Sequence, residues 1–520
     1  MPITITITIS TLIMPNKINQ VFFLTLLVAI LLILLSAFGK EANYKGFRLK
    51  KINILADILP DSLKDNYIAA TASDAFVIDS SLMDIQPEDT TETQIPPTPI
   101  DAPLDTAAEL QKNNPFLNKR NSKIANDTTI PKPSKDALLT DEDLANIKAS
   151  STTNYLEDYT PEGDALNMLL ANIRAYKNAG QKVRIAFLAD SFVEGDIMLG
   201  YLRDLLQTEW GGNGVGFVPV ASPSAHFRNS ITHTFSKNWT THSILDAGKA
   251  SPYLGISGYC HQPDALGSWV SYKTTNAYKN NTYFNQVRLF YINPNNPSAT
   301  VKYSLNKGET IEKGLEQGEQ LHELLIKGED KIKGIDMYFN SPDIYVYGAS
   351  LEGNSGVYVD NFSVRGVSGP QLKRISSQMF EEFNEKQNYS LVVLQYGLNV
   401  SFPTQAHLDN YIKVMNVAIA HVKKSFPNTP IMLFSVSDRS SNQNGEYTTI
   451  EGLDKMISTQ RNMAKKYQLL FWDMHSAMGG NNAMLTYVKN GWANKDYTHL
   501  NFKGGKEIAK LFAKVLLKEE

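Results

Sequence analysis

Three short segments of this 520-residue chain hold side chains that could make and break an ester. Ser191 ends the apolar run VRIAFLADS (183–191), and Asn399 ends Tyr396-Gly397-Leu398-Asn399, just after a second apolar run. In NKDYTHLNFKGG (494–505), Asp496 and His499 stand three residues apart before a final helical pattern. A serine hydroxyl becomes a useful nucleophile only with a base in hydrogen-bond reach, a third group to orient that base, and donors for the developing oxyanion. These segments supply each kind of group. Singly, each has a plainer reading. A serine after a strand commonly caps a helix, an asparagine there commonly forms a turn, and a loop histidine is commonly solvated.

The elements around them read as an open α/β sheet. The spacing of Leu166, Leu169, Leu170, Ile173 and Tyr176 predicts a helix before the Ser191 strand. Met198, Leu199, Leu202, Leu205 and Leu206 predict another after it. Strand, turn and helix in that order open an α/β domain, whose ligands gather at the carboxyl ends of the strands. Further apolar strands at 390–397, 430–436 and 468–474 alternate with helical patterns near 405–425, 450–466 and 503–518. Between these halves the texture turns to Tyr, Asn, Gly and Thr, with short alternating runs such as 285–292 and 343–351, the pattern of a small β-sandwich. The expected architecture is a three-layer α/β/α domain with a parallel sheet (151–240 and 364–520), interrupted by an inserted β-sandwich (241–363).

Taken in order, the blocks Ala189-Asp190-Ser191, Gly366-Val367-Ser368-Gly369, Gly397-Leu398-Asn399 and Asp496-Tyr497-Thr498-His499 resemble those of the SGNH (GDSL-like) hydrolases. The resemblance implies Ser191 as nucleophile, His499 as general base and Asp496 as its orienter. It implies an oxyanion hole from the backbone N–H groups of Ser191 and Gly369 and the side-chain amide of Asn399. Gly366 is the alternative to Gly369, and Asp190 and Gly397 are supporting members of their motifs. The glycine usual before the Asp-Ser pair is Ala189 here, and the Asp that often follows the block-three Asn is Val400. Neither change removes a mechanistic group.

The stretches 191–220 and 471–480 look like the subgroup holding bacterial peptidoglycan O-acetylesterases and related O-acetyltransferases. That subgroup carries a sandwich akin to a carbohydrate-binding module between its first and second blocks, which is where 241–363 lies. The resemblance covers residues 155–520. It implies an acetylated envelope polysaccharide as substrate, peptidoglycan first, and no metal or organic cofactor. Whether water or a sugar hydroxyl takes the acetyl group stays open, as does a non-catalytic carbohydrate-binding protein.

The remaining features bound the setting. Residues 21–38, VFFLTLLVAILLILLSAF, carry no charge and are about long enough to span a bilayer. Ser36-Ala37-Phe38 makes a poor cleavage site, so an uncleaved anchor is expected after a short N-terminal extension (1–20). Lys17 precedes this span, while Lys40, Lys45, Arg48, Lys50 and Lys51 follow it. That asymmetry alone would hold the body in the cytoplasm. The implied substrate favours the extracytoplasmic side instead. A membrane-proximal segment (39–73) and a Thr-, Pro- and Asp-rich linker (74–150) complete the chain, the linker too polar to offset its ordering entropy. A net charge of -3 gives no basic footprint for nucleic acid. The one cysteine, Cys260, excludes an internal disulfide and reads as a small buried hydrophobe. His226 and His233 lack partners at zinc-ligand spacing. Glu194 and Asp196 read as stabilisers of the following helix N-terminus or as substrate contacts, and His475 as a structural residue near the cleft. The aromatics Tyr253, Tyr259, Trp269, Tyr272, Tyr278 and Tyr283 of the insert could stack on sugars or fill a core.

Overall fold

The computed structural model describes residues 42–44, 47–49, 140–149, 155–400, 405–443 and 445–517. Among the described residues no helix is long and apolar enough to cross a membrane. The anchor expected at 21–38, the extension before it and nearly all of the linker lie outside them. Two short strands, Ala42–Tyr44 and Phe47–Leu49, pair as an antiparallel hairpin in a unit of their own.

In the larger unit the chain runs β1 (Leu156–Asp158), α1 (Ala165–Asn178), β2 (Lys182–Ala189), α2 (Leu199–Trp210) and, after a long excursion, β3 (Gly356–Ser363). It continues through α3 (Ser377–Gln387), β4 (Tyr389–Gln395), α4 (Gln405–Ser425), β5 (Ile431–Phe434), α5 (Leu453–Tyr467), β6 (Leu470–Trp472) and α6 (Phe502–Leu517). The strands form one sheet in the order β3-β2-β4-β5-β6-β1. All pairs are parallel except β1 with β6. The central strands are buried along almost their whole length, as a sheet covered on both faces requires. Right-handed crossovers settle where the helices go. The step from β2 to β3 runs one way along the sheet, and the steps β3 to β4, β5 and β6 run the other way. That puts α2 on one face and α3, α4 and α5 on the opposite face. In keeping with this, α2 packs on α1 and α6, whereas α3 packs on α4 and α4 on α5.

This reversal also makes the cleft. The chain leaves β2 toward one face and leaves β4, its neighbour, toward the other, so a crevice opens between their carboxyl ends. Ser191 follows β2 directly, and Gly397 to Asn399 follow β4. Two buried glycines shape that rim. Gly397 has φ 121°, and a Cβ there would meet Val436 Cγ1 at 2.7 Å. Gly369 has φ 110° and would meet Met415 Sδ at 2.6 Å.

The insert is two antiparallel sheets on a shared core. Strands Gly318–Ile332, Phe284–Asn293, Tyr345–Glu352, Tyr259–Gln262 and Thr240–Ser243 make one sheet, with Gly216–Pro219 added to it. Thr310–Gly314, Thr300–Leu305, Gly334–Phe339, Ser268–Thr274 and Ile231–Phe235 make the other. Val287, Leu289, Val346 and Leu351 of the first meet Val270, Tyr272, Val301 and Met337 of the second. Its edges differ from the expected 241–363. Gly216–Pro219 and Ile231–Phe235 belong to the insert's sheets, while Gly356–Ser363 is β3, the edge of the parallel sheet. The outer face of the first sheet is covered too: Phe217, Phe290 and Tyr347 all contact Phe383 of α3. Buried Arg184 of β2 pairs with Glu352 at the end of an insert strand, and Arg288 of the insert reaches Gln387 Oε1 at 2.6 Å. Apolar area and buried charge thus fasten the insert to the α/β domain.

Candidate active site

Ser191 opens a short 3₁₀ segment, Ser191–Asp196, kinked at Glu194 and Gly195, between β2 and α2. Asp190 caps it: its Oδ1 accepts the Phe192 N–H at 2.9 Å. The first N–H groups of a helical turn have no intrahelical acceptor, so that of Ser191 is available to a ligand. Burial pushes the Asp190 carboxyl up to about 7, offset in part by the Phe192 N–H and by nearby His499.

His499 and Asp496 sit on the loop before α6. The Asn494 N–H donates to His499 O at 2.8 Å, and Ala493 and Leu500 form a bridge that closes the loop base. Ser440 N–H donates to Tyr497 O at 3.0 Å, and the Tyr497 ring stacks on Tyr447 with centroids 3.8 Å apart. Held this way, His499 Nε2 lies 3.2 Å from Ser191 Oγ, and its Nδ1 lies 2.8 Å from Asp496 Oδ2. Asp496 Oδ1 accepts the backbone N–H groups of Thr498 and His499, each at 3.0 Å. Partial burial would raise the Asp496 carboxyl, but the His499 ring and these two backbone donors outweigh it and hold the carboxyl below its ordinary value. The carboxylate is therefore ionised at neutral pH and fixes the Nδ1–H tautomer, which leaves Nε2 as a proton acceptor facing Ser191 Oγ. The site is open: the His499 and Asp496 side chains are 38% and 48% exposed, while Ser191 is 8% exposed.

The two glycine-bearing blocks meet beside this chain. Asn399 Nδ2 donates to Val367 O at 3.1 Å, which joins block three to block two and leaves the other N–H of that amide. Gly369 caps the turn Pro370–Arg374 with its own N–H outside that turn. Gly366 has φ 83° and borders open space.

Several residues that hold this geometry have no local signal. Gln460 of α5 donates to Tyr396 O at 2.7 Å and accepts the Val436 N–H at 2.9 Å, stapling the ends of β4 and β5. Arg439 donates to Leu398 O at 3.1 Å. Asp196 is neither a helix stabiliser nor a substrate contact. It is fully buried, with Oδ2 taking Arg203 at 3.0 Å, Arg228 at 3.0 Å and Ser230 Oγ at 2.5 Å, and Oδ1 taking Asn361 at 2.9 Å. Burial opposes its charge, but the two guanidiniums hold its carboxyl far below the usual range. It ties the Ser191 turn to α2, to β3 and to the chain entering the insert. Glu194 instead pairs with exposed Arg365 at 2.6 Å.

The other candidates are placed as follows. His475 is buried behind the cleft, with its N–H on Ser435 Oγ at 3.1 Å. His233 is buried against Val220 O, and His226 bonds Pro223 O at the surface. Among the described residues there is no cluster of metal-ligating side chains. Burial lifts the Cys260 thiol to about 12, which leaves it unreactive. Tyr272 and Tyr278 are core residues, Tyr253 stacks on Tyr345, and Tyr283 lies under Lys331.

No protein-family model and no curated protein matches the sequence. Solved structures do. A peptidoglycan O-acetylesterase superposes with a TM-score of 0.56 at 20% identity, over 69% of this chain and 97% of its own. The chain shares the fold of that structure. An acetylxylan esterase from Geobacillus stearothermophilus (TM-score 0.25, 18% identity, 32% of this chain and 76% of its own) and the acetyl xylan esterase AlAXEase (TM-score 0.22, 17% identity, 30% and 79%) overlap a smaller part.

Proposed function

We propose that the protein is a serine esterase that removes O-acetyl groups from a cell-envelope polysaccharide, with peptidoglycan as the first substrate. The observation that carries this reading is the continuous chain Ser191 Oγ, His499 Nε2, His499 Nδ1, Asp496 Oδ2, with steps of 3.2 and 2.8 Å. His499 Nε2 takes the Ser191 proton as Oγ attacks the acetyl carbonyl carbon. The oxyanion lies toward the N–H groups of Ser191 and Gly369 and the Asn399 amide. The tetrahedral adduct collapses, the sugar oxygen leaves with the proton from His499, and the acetyl group stays on Ser191. Water then gives its proton to His499, attacks the acyl carbon, and releases acetate and free Ser191.

The openness of the pair supports a polymeric substrate, since an acetyl group on a chain must reach Ser191 without the chain being enclosed. The peptidoglycan O-acetylesterase superposes along 97% of its length, a span that includes the insert and not the α/β domain alone. Anchoring through residues 21–38 on the extracytoplasmic side fits a substrate of that kind. The test is acetate release from O-acetylated peptidoglycan by the full chain in detergent, beside the Ser191→Ala variant. Release that depends on Ser191 supports the reading. Equal release by the variant refutes it, and acetyl movement to sugar without free acetate would make the protein a transferase.

A further inference from the structure

The fully buried arginines are ion-paired: Arg184 with Glu352, and Arg203 and Arg228 with Asp196. Arg439 is different. It is half-buried between the end of β5 and a hairpin of strands Ser440–Gln443 and Glu446–Thr449, and its side chain makes one hydrogen bond, from Nη1 to the neutral Leu398 O at 3.1 Å. The acid whose charge reaches it is Asp496. Both oxygens of that carboxylate are engaged, Oδ1 by the N–H groups of Thr498 and His499 and Oδ2 by His499 Nδ1. Burial outweighs the pull of Asp496 and holds the Arg439 guanidinium below its ordinary value. A charge taken from water without a partner is stabilised by an anion that reaches it.

The guanidinium is held in place at both ends. Arg439 O accepts the Ile450 N–H at 2.9 Å, and the next N–H, that of Ser440, donates to Tyr497 O at 3.0 Å. The hairpin rests on buried Asp438, which takes Thr449 Oγ1 at 2.8 Å and the Met484 N–H at 2.7 Å. The Leu398 bond fixes the far end of the side chain. With Nη1 engaged, the Nε–Nη2 edge remains, two parallel donors with no acceptor among the described residues and not enclosed by protein. Two parallel donors match the two oxygens of a carboxylate. The edge lies beside the reaction, because Leu398 adjoins Asn399 of the oxyanion site and Asp496 orients His499, which protonates the leaving sugar oxygen. An acetyl group in the ground state carries no charge, so an anion for this edge comes from the sugar portion of the substrate.

We infer that Arg439 holds a carboxylate on the sugar that bears the acetyl ester, and so selects acetylated acidic sugars over neutral ones. The inference rests on the esterase reading and names the substrate class within it. A muramic residue meets the requirement through the carboxyl of its lactyl ether; a neutral acetylated pentose does not.

The test compares acetate release from 6-O-acetyl-N-acetylmuramic acid and from its methylamide by the full chain in detergent. The native chain is expected to favour the acid about tenfold in kcat/KM, as for one charge-assisted pair at a half-exposed site. Arg439→Met should bring that ratio to about one, whatever it loses on both substrates through the Leu398 bond. Arg439→Lys keeps the charge without the fork and should retain a ratio of about threefold. General damage to the fold cancels in the ratio. A native ratio near one, or an undiminished ratio in Arg439→Met, would overturn the inference. Ser191-dependent release with no preference for the acid would strike this inference alone. If the native chain releases acetate from neither sugar, saturation-transfer NMR with N-acetylmuramic acid and its methylamide decides between the readings. Tighter binding of the acid that is lost in Arg439→Met would sustain the subsite and strike the esterase reading, and equal binding would overturn the subsite.

Discussion

Replacing Asp496 with Asn changes one atom and should disable the base. The Asp496 Oδ1 position is committed to two backbone donors, the N–H groups of Thr498 and His499, each at 3.0 Å. The Asn carbonyl must stay there, because turning the amide would set its NH2 against both donors. Its NH2 then faces His499 Nδ1, in place of the oxygen now 2.8 Å away. The imidazole can accept that bond only with its proton on Nε2, the atom that must take the Ser191 proton. Restoring the useful tautomer means giving up two backbone hydrogen bonds at ~1 kcal/mol each or slightly more. At ~1.4 kcal/mol per decade, that is about a thirtyfold loss in kcat. The half-exposed site lets water relieve some of the conflict, so the loss should fall short of the roughly 10⁴-fold known for a buried triad. Steady-state hydrolysis of p-nitrophenyl acetate at pH 7 reads this directly, with KM expected to change by less than about threefold because the bond acts in the transition state. A variant that keeps more than about a tenth of native kcat would refute the tautomer argument.

Three further outcomes follow from the structure. Asn399→Ala removes an amide donor and is expected to lower kcat about 10²- to 10³-fold with little change in thermal midpoint; an unchanged kcat would remove Asn399 from the oxyanion site. Asp196→Ala leaves Arg203 and Arg228 buried and uncompensated, at a cost of about 3–5 kcal/mol read by urea unfolding, and a loss below about 1 kcal/mol would show that the cluster is not needed. Asp190, raised to about 7 in the folded protein by burial, favours folding fully below its ordinary carboxyl range and loses that contribution as pH climbs through 7. Asp190→Asn is therefore expected to flatten stability between pH 5 and pH 8 relative to the native chain, and two parallel pH profiles of the urea midpoint would contradict it.

What could be read from the sequence was what is written locally. Ser191, Asn399, Asp496 and His499 each sit in a short block at the end of a strand or the start of a helix, so motif and element arrive together. The strands of the parallel sheet, buried on both faces, stand out as apolar runs such as 185–189. The insert's edges were not readable in this way. Gly216–Pro219 joins it by pairing with Tyr345–Glu352, and β3 leaves it by pairing with β2, each across more than a hundred residues of chain. Asp196 shows the same limit. Its place beside a helix start suggests a surface role, and only the fold delivers Arg228, Ser230 and Asn361 to it.

The most direct measurement of the central claim is the site of acylation. Mixing the protein with p-nitrophenyl acetate, quenching in acid and mapping peptides by mass should find one acetyl group on Ser191. The acetyl group should be absent from Ser191→Ala. An acetyl group found on another residue, or nitrophenol released at the native rate by Ser191→Ala, would contradict the account.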